Sequence, residues 1–182
     1  LTAGSGTANT SISSASDIDL AMVNTGDLVM TSLGQIINSG SVLVNGHSEL
    51  SAQGDITLEN SVDLFTVAAS GNDIVITDLI VLDQVDITAV GNASIDAVDG
   101  IGIGSLVASE LSLESAAGEV SDSNSGAMNL TADRVVIRAA SGVGASDALE
   151  TNAWAAPWLY TYMKLQPGVS KEQMNTRITE LV

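Results

Sequence analysis

The sequence predicts an all-β protein: a parallel β-helix, or β-solenoid, of about six turns that is followed by a short strand–turn–helix element. Three observations lead to this fold class. Short stretches alternate between aliphatic and polar residues, and pairs of aliphatic residues return at a nearly constant step. The third observation is that both tryptophans, both tyrosines and both prolines lie after residue 153.

The alternating stretches are the candidate strands. Aliphatic residues occupy every second position in them and polar residues fill the others, as in strands with one buried and one solvated face. The stretches are residues 17–22, 41–45, 54–59, 72–77, 85–89, 110–114, 128–132 and 134–138. Glycines separate them and are expected at turns or at positive φ: Gly26, Gly40, Gly54, Gly71, Gly91, Gly118 and Gly142.

The step between aliphatic pairs favours a solenoid, because its length of about 22 to 24 residues lies in the range of solenoid repeats. Six pairs recur at this step: Ile18 with Leu20, Val42 with Val44, Phe65 with Val67, Ile87 with Ala89, Leu111 with Leu113, and Val135 with Ile137. Turns of this kind bury their aliphatic faces by stacking at about 4.8 Å. A β-sandwich is the competing fold, but it explains neither the constant step nor the scarcity of aromatic residues.

The same step predicts which side chains lie above one another. Ile87, Leu111 and Val135 are expected in one inward column. Two outward columns are expected as well, one with Asp86, Glu110 and Arg134 and the other with Val90, Glu114 and Arg138. Exposed ion pairs of this kind contribute about 0 to 1 kcal/mol, so they would fix the register more than they stabilise it.

The chain divides into three predicted parts. Residues 1–16 form an irregular lead-in or first turn, residues 17–153 form the β-helix, and residues 154–182 form a C-terminal cap or an unrelated appended segment. In that last part we expect a strand over 159–165, a turn at Pro167 and Gly168, and a helix with Met174 and Ile178 on one face. A small binding patch is the third interpretation of this segment.

Residues 130–152, LTADRVVIRAASGVGASDALETN, resemble the repeats of giant bacterial surface adhesins of the filamentous-haemagglutinin type. GDITLEN, VDITAVGNASI and ELSLESAAGEV resemble looser versions of that repeat, so the similarity spans about residues 17–152. It implies a right-handed parallel β-helix that serves as the stalk of an extracellular or cell-surface adhesin. Partners on a host or neighbouring cell, or in the matrix, would then bind other parts of the parent chain.

Residues 158–182, WLYTYMKLQPGVSKEQMNTRITELV, are similar to a short piece of the extracytoplasmic domain of MacB-like transporter permeases. In those proteins a Tyr-x-x-Leu-x-Pro-Gly strand and turn precede a helix. Transport does not follow from this similarity, because the chain has neither an apolar run of spanning length nor a phosphate-binding loop.

The charge limits the classes of partner. The formal net charge is −17 and only five residues are basic, so the surface repels nucleic acid and anionic membranes. We therefore expect no nucleic-acid binding and no membrane insertion, and a protein that is monomeric or stacks end to end. Cysteine is absent, which excludes disulfides and thiolate chemistry.

The sequence assigns no catalytic, cofactor-binding or metal-ligating residue, and no cofactor is expected. His47 stands alone and is interpreted as a solvated turn residue. Acidic pairs such as Asp17 with Asp19 are too common here to indicate a site. The predicted function is structural and non-catalytic, with two alternatives: a carbohydrate-active β-helix, or a calcium-stabilised binding module suggested by residues 70–77 and 96–104.

Overall fold

A computed structural model describes residues 2–3, 8–125 and 127–144, and this part of the chain consists of strands and their connections, without a helix. The predicted all-β class is therefore confirmed. The fifteen strands are β1 Thr2–Ala3, β2 Thr10–Ser14, β3 Ile18–Thr25, β4 Leu28–Ser32, β5 Ile36–Ala52, β6 Ile56–Gly71, β7 Ile74–Asp78, β8 Leu82–Ala89, β9 Asn92–Ala97, β10 Ile101–Val107, β11 Glu110–Ser115, β12 Glu119–Asp122, β13 Leu130–Thr131, β14 Arg134–Ala139 and β15 Gly142–Val143.

Parallel pairing joins the strands into a β-solenoid of about seven turns. Each turn contributes to three ladders of strands, named here A, B and C. The inward column of ladder A contains Ile18, Ile36, Ile56, Ile74, Ala93, Leu111 and Val135. That of ladder C contains Ile12, Met30, Leu50, Ala69, Ile87, Leu106 and Leu130.

Ladder B is less regular. Its first section stacks Val23, Val42 and Val62, and its second section stacks Leu82, Ile101, Val120 and Val143. The fourth turn interrupts it, since β7 ends at Asp78 and β8 starts only at Leu82.

The core is a single cluster of aliphatic side chains inside these ladders. Leu20, Ile56 and Ile95 are completely buried. Each side chain meets a similar one on the turns before and after it, so apolar surface is removed from water at every rung. Val, Ile, Leu and Ala satisfy this repeated packing, which explains why the described body contains Phe65 as its single aromatic residue.

The turns are shorter than the sequence step suggested. Ile18 pairs with Ile36 and Ile36 with Ile56, so one turn takes 18 to 20 residues. The predicted column of Ile87, Leu111 and Val135 is therefore wrong, because Ile87 belongs to ladder C. The shorter turn also explains why about seven turns are present where six were predicted.

The error has a physical cause. All three ladders show the same alternation, so the predicted step from Ile18 reaches Val42, which lies one ladder further on. Phe65 was also predicted to point inward, yet the residue is 49% exposed. Because every face of the solenoid shows the same alternation, the pattern does not give the number of residues per turn.

The last described turn is longer and has the predicted length. Residues 123–129 lengthen it between β12 and β13, and Glu110 and Glu114 pair with Arg134 and Arg138. The nitrogen–oxygen distances are 3.5 Å for Glu110–Arg134 and 3.8 Å for Glu114–Arg138. The rest of these columns was wrongly predicted: Asp86 pairs with Ser105, whereas Glu114 follows Asp96.

The described residues begin the ladders before residue 17, since β2 already pairs with β4. Nothing in these residues is a helix long and apolar enough to cross a membrane. Residues 154–182 lie outside the described part, so the strand–turn–helix element and the permease-like segment remain predictions.

A pair of engineered cysteines distinguishes the two registers. Ser94 and Ser112 pair directly in ladder A, which places their Cα atoms about 4.8 Å apart, within the range that a disulfide spans. Ser94→Cys with Ser112→Cys should therefore oxidise efficiently, and the chain has no other cysteine to compete. Mass spectrometry after mild oxidation measures the yield.

The matched control is Thr88→Cys with Ser112→Cys, the pair that the longer predicted step would have joined. A higher disulfide yield in this control than in the first pair would contradict the register.

Candidate functional site

Aspartate carboxylates at the corners of the solenoid hold successive turns together. In four cases an Asp Oδ1 accepts a hydrogen bond from a backbone N–H on the next turn: Asp17 from Gln35 at 3.0 Å, Asp27 from His47 at 2.9 Å, Asp73 from Asn92 at 2.7 Å and Asp86 from Ser105 at 2.8 Å. We call these contacts the carboxylate clamps. Hydrogen bonds to a charged acceptor are stronger than neutral ones, so each clamp ties two rungs at a point where the ladder bends.

A glycine precedes the donor residue in all four clamps. These are Gly34, Gly46, Gly91 and Gly104, and a Cβ on any of them would lie 2.1 to 2.2 Å from the clamping Oδ1. The glycine leaves room for the carboxylate to approach the following N–H. Asp on one turn and Gly on the next are therefore a single structural unit, separated in sequence by about one turn.

Two further aspartates act in the same way without a glycine. Asp19 accepts from the backbone of Ser39 at 2.9 Å, and Asp55 accepts from the backbone of Asp73 at 3.1 Å. Asn72 also donates its side-chain N–H to Asp55. The hydrogen bond from Asn72, followed by the one from Asp73, lowers the pKa of Asp55 below its usual value.

The sequence interpretation missed these clamps. It interpreted Gly91 as a turn or positive-φ residue, and it treated acidic pairs such as Asp17 with Asp19 as too common to indicate a site. Within the described residues, the glycines with positive φ are Gly142 and Gly144. The signal that could have revealed the clamps is the recurrence of Asp, then Gly, at about one turn's distance, but recognising it requires the correct turn length.

Asp78 is a buried carboxylate at the interruption of ladder B. It is 1% exposed, and it accepts from the backbone N–H of Leu64 at 2.7 Å and of Ile80 at 2.8 Å. The side chain thus replaces a main-chain acceptor where the strand is missing. Burial raises the pKa of Asp78 to about 6. The two hydrogen bonds from Ile80 and Leu64 lower this pKa, and the Asp63 carboxylate raises it.

The buried side-chain amides of two asparagines also make hydrogen bonds between turns. Asn38 occupies an inward position of ladder A, where its Oδ1 accepts from the backbone of Glu59 and its Nδ2 donates to the carbonyls of Gly40 and Asn60. Asn129 donates to the carbonyl of Ile103 and to the carboxylate of Asp122. Buried polar groups are retained here because their hydrogen bonds are made.

The residues considered for chemistry are dispersed. His47 contacts Thr66 through Nδ1 at 2.9 Å, while Asp17 and Asp19 bind different backbone groups of the next turn. Burial raises the pKa of Asp96, and the Glu114 carboxylate beside it raises it further. The described residues contain no group of three or more His, Asp or Glu side chains placed to hold a metal ion.

Two open grooves lie on the outer faces. The larger, of about 470 Å³, runs along ladder A, with Glu110, Arg134 and Arg138 at its sides and Ser94, Ser112 and Val136 on its floor. The smaller, of about 320 Å³, lies on ladder C beside Glu49 and Asp86. Neither groove has an aromatic residue among its lining residues, so these surfaces lack the stacking platform that sugar rings favour.

Comparison with known proteins gives one family match. A family model described as repeats of unknown function (DUF5649) matches residues 7–72, which hold β2 to β6. Neither a curated protein nor a solved structure matches the chain. The match covers less than half of the 182 residues and supports the assignment of a repeat protein with a β-solenoid fold.

A double-mutant cycle at Asp73 and Gly91 tests whether the two residues of a clamp act together. Asp73→Ala should lower the free energy of unfolding by about 1 to 2 kcal/mol through loss of the bond to Asn92. Gly91→Ala should cost about 1 to 3 kcal/mol, because its Cβ would meet the Asp73 Oδ1. The double variant should lose less than the sum, since without the carboxylate the nearest remaining atom is the Asn72 carbonyl oxygen at 3.5 Å.

Gly100→Ala is the matched control for this cycle, because its nearest contact would be an ordinary 3.4 Å from the Glu119 carbonyl oxygen. Chemical denaturation measures all four variants. Strict additivity of Asp73→Ala and Gly91→Ala would show that the two residues do not act together.

The buried carboxylate of Asp78 should make the stability of the protein depend on pH. Its pKa is about 6 in the folded protein and 3.8 ordinarily, so the folded state binds the proton more tightly than the unfolded state. Its contribution to the free energy of unfolding is therefore largest below about pH 4 and decreases as the pH rises through 6.

The difference in unfolding free energy between the native chain and Asp78→Asn isolates this effect. We expect the difference to fall by up to about 3 kcal/mol between pH 4 and pH 7. A difference that stays constant, or that grows with pH, contradicts the assignment.

Proposed function

We propose that this chain is a structural segment of the stalk of an extracellular bacterial adhesin, which spans distance and displays other modules without catalysis. The observation that carries the proposal is the unbroken register of ladders A and C over seven rungs. Such a stack extends in one direction, and each turn adds about 4.8 Å to its length.

The use of the acidic side chains supports a mechanical role. Six aspartates bind backbone N–H groups of the next turn, so they connect rungs instead of converging on one point. The net charge of −17 keeps neighbouring molecules apart. The similarity of residues 130–152 to adhesin repeats supplies the biological setting of this proposal.

Distance measurements between spin labels test the mechanical part. Ser13 and Thr131 lie in one outward column of ladder C, six rungs apart, which corresponds to about 29 Å. Cysteine labels at Ser13 and Thr131 should give one narrow distance distribution near that value, widened only by the label itself. Labels at Ser13 and Val107 should give a distance shorter by about 4.8 Å, or one rung.

A broad distribution, or equal distances for the two pairs, would contradict a stiff shaft. The calcium alternative is tested in the same samples, because a metal-stabilised module would change its distance distribution and melting temperature on addition of chelator. The stalk proposal expects neither to change.

The adhesin setting requires its own experiment. Antibodies against residues 8–144 should label intact cells that produce the parent protein, and beads coated with the purified chain should not adhere to host cells or matrix. Labelling that depends on permeabilising the cells contradicts the location. Saturable adhesion of the beads, or release of reducing ends from a polysaccharide, contradicts the purely structural role.

A further inference from the structure

Three consecutive aliphatic residues are exposed where ladder B is interrupted. Leu79, Ile80 and Val81 are 51%, 46% and 38% exposed, and they form the connection between β7 and β8. The other large apolar residues that are exposed in the described part of the chain stand singly in the sequence. Single exposed apolar residues are common on protein surfaces, whereas a run of three marks a surface that binds something.

The following turn extends this apolar surface. Asp78 pairs with Ala97 in parallel register, so the residues that come directly after them, Leu79 and Val98, lie side by side on successive turns. Val98 is 46% exposed. The exposed aliphatic residues of the two turns form what we call the apolar patch: Leu79, Ile80, Val81 and Val98.

Hydrogen bonds hold the backbone of the apolar patch in place. Leu79 donates its N–H to the Val62 carbonyl at 2.8 Å, and Ile80 donates to the Asp78 carboxylate at 2.8 Å. The Ile80 carbonyl accepts from the N–H of Asp99 on the next turn at 2.7 Å. A surface that is already ordered before binding loses less conformational entropy when a partner docks on it.

Carboxylates surround the apolar patch. Asp83 and Asp99 are both exposed, and each lies within two residues of a patch member in the sequence. Asp63 lies close as well, since its carboxylate raises the pKa of Asp78. The surface therefore combines aliphatic side chains with a rim of negative charge.

This charge distinguishes between the possible occupants. The described body has two basic residues, Arg134 and Arg138, and both form ion pairs with glutamates of ladder A. A second copy would place its own acidic rim against this one, and an anionic membrane would be repelled as well. A positively charged surface with exposed aliphatic side chains complements both the patch and its rim.

We propose that the apolar patch is a docking surface for a basic protein partner. Aliphatic side chains of the partner contact Leu79 and Val98, and its lysine or arginine side chains pair with Asp83 and Asp99. The partner is held at one fixed position along the solenoid, because the run of exposed aliphatic residues occurs once in the described body. This role goes beyond that of a structural segment and does not depend on it.

Fluorescence anisotropy of a labelled peptide tests the proposal on the full chain. The probe is the peptide Lys-Leu-Lys-Lys-Leu-Lys, and its reference carries serine in place of both leucines. Leu79→Ser with Val98→Ser should weaken binding of the leucine peptide by about tenfold and leave the serine peptide unchanged. Val90→Ser is the matched control, at a residue that is 78% exposed between β8 and β9, and it should change neither.

A second variant tests the rim without touching the aliphatic side chains. Asp83→Asn with Asp99→Asn should weaken the leucine and serine peptides by a similar factor, because both carry the same charge. All the substituted residues are exposed, so circular dichroism should show a native spectrum for every variant.

Three results would overturn the proposal. The first is a native chain that binds the leucine peptide no better than the serine peptide, or that loses as much affinity in Val90→Ser as in the patch variant. The second is self-association of the native chain that Leu79→Ser with Val98→Ser abolishes, which would identify a second copy as the occupant. The third is binding to phosphatidylcholine vesicles that the same variant abolishes, which would identify a membrane.

Discussion

The structure depends on the stacking of like aliphatic side chains from one turn directly onto the next. The chain must return to the same inward position after nearly the same number of residues, because a shift of one residue would move every inward side chain to the surface. In ladder A this return brings Ile18, Ile36, Ile56 and Ile74 into one column. The hydrophobic effect stabilises the stack as a whole, since no single turn buries its own aliphatic face.

The corners need a different solution, because the strands there stop or shift register. The carboxylate clamps supply it: an aspartate on one turn accepts the backbone N–H of the next, and a glycine leaves the space. This arrangement lets an acidic surface contribute to cohesion between turns. Asp78 has a similar role in the core, at the interruption of ladder B. Its carboxylate accepts hydrogen bonds from two backbone N–H groups. Burial raises its pKa.

The sequence is sufficient to predict the fold class but not the circumference of the solenoid. Alternation in stretches such as NDIVIT is a local property, and it identified strands with one buried face correctly. The assignment of a strand to a ladder is not local, because Val42 and Ile36 are equally aliphatic and only the corner geometry decides which of them stacks on Ile18. The ion pairs of Arg134 and Arg138 were predicted correctly because the last described turn, unlike the earlier ones, has the length that the sequence step suggested.

The candidate site was harder to predict, since its residue types have common alternative explanations. An exposed Asp usually solubilises a surface and a Gly usually serves a turn, so Asp73 and Gly91 show their joint role only once the true turn length is known. The same limit applies to Asp78, whose two backbone donors come from Leu64, on the stretch of chain before it, and from Ile80, just after it.

Backbone nuclear Overhauser contacts of Leu111, measured in the isotopically labelled protein, test the stacking of successive turns most directly. Winding with the turn length described above predicts contacts from Leu111 to Ala93 on the preceding turn and to Val135 on the following one. Backbone contacts between Leu111 and Ile87, in place of those to Ala93, would contradict it.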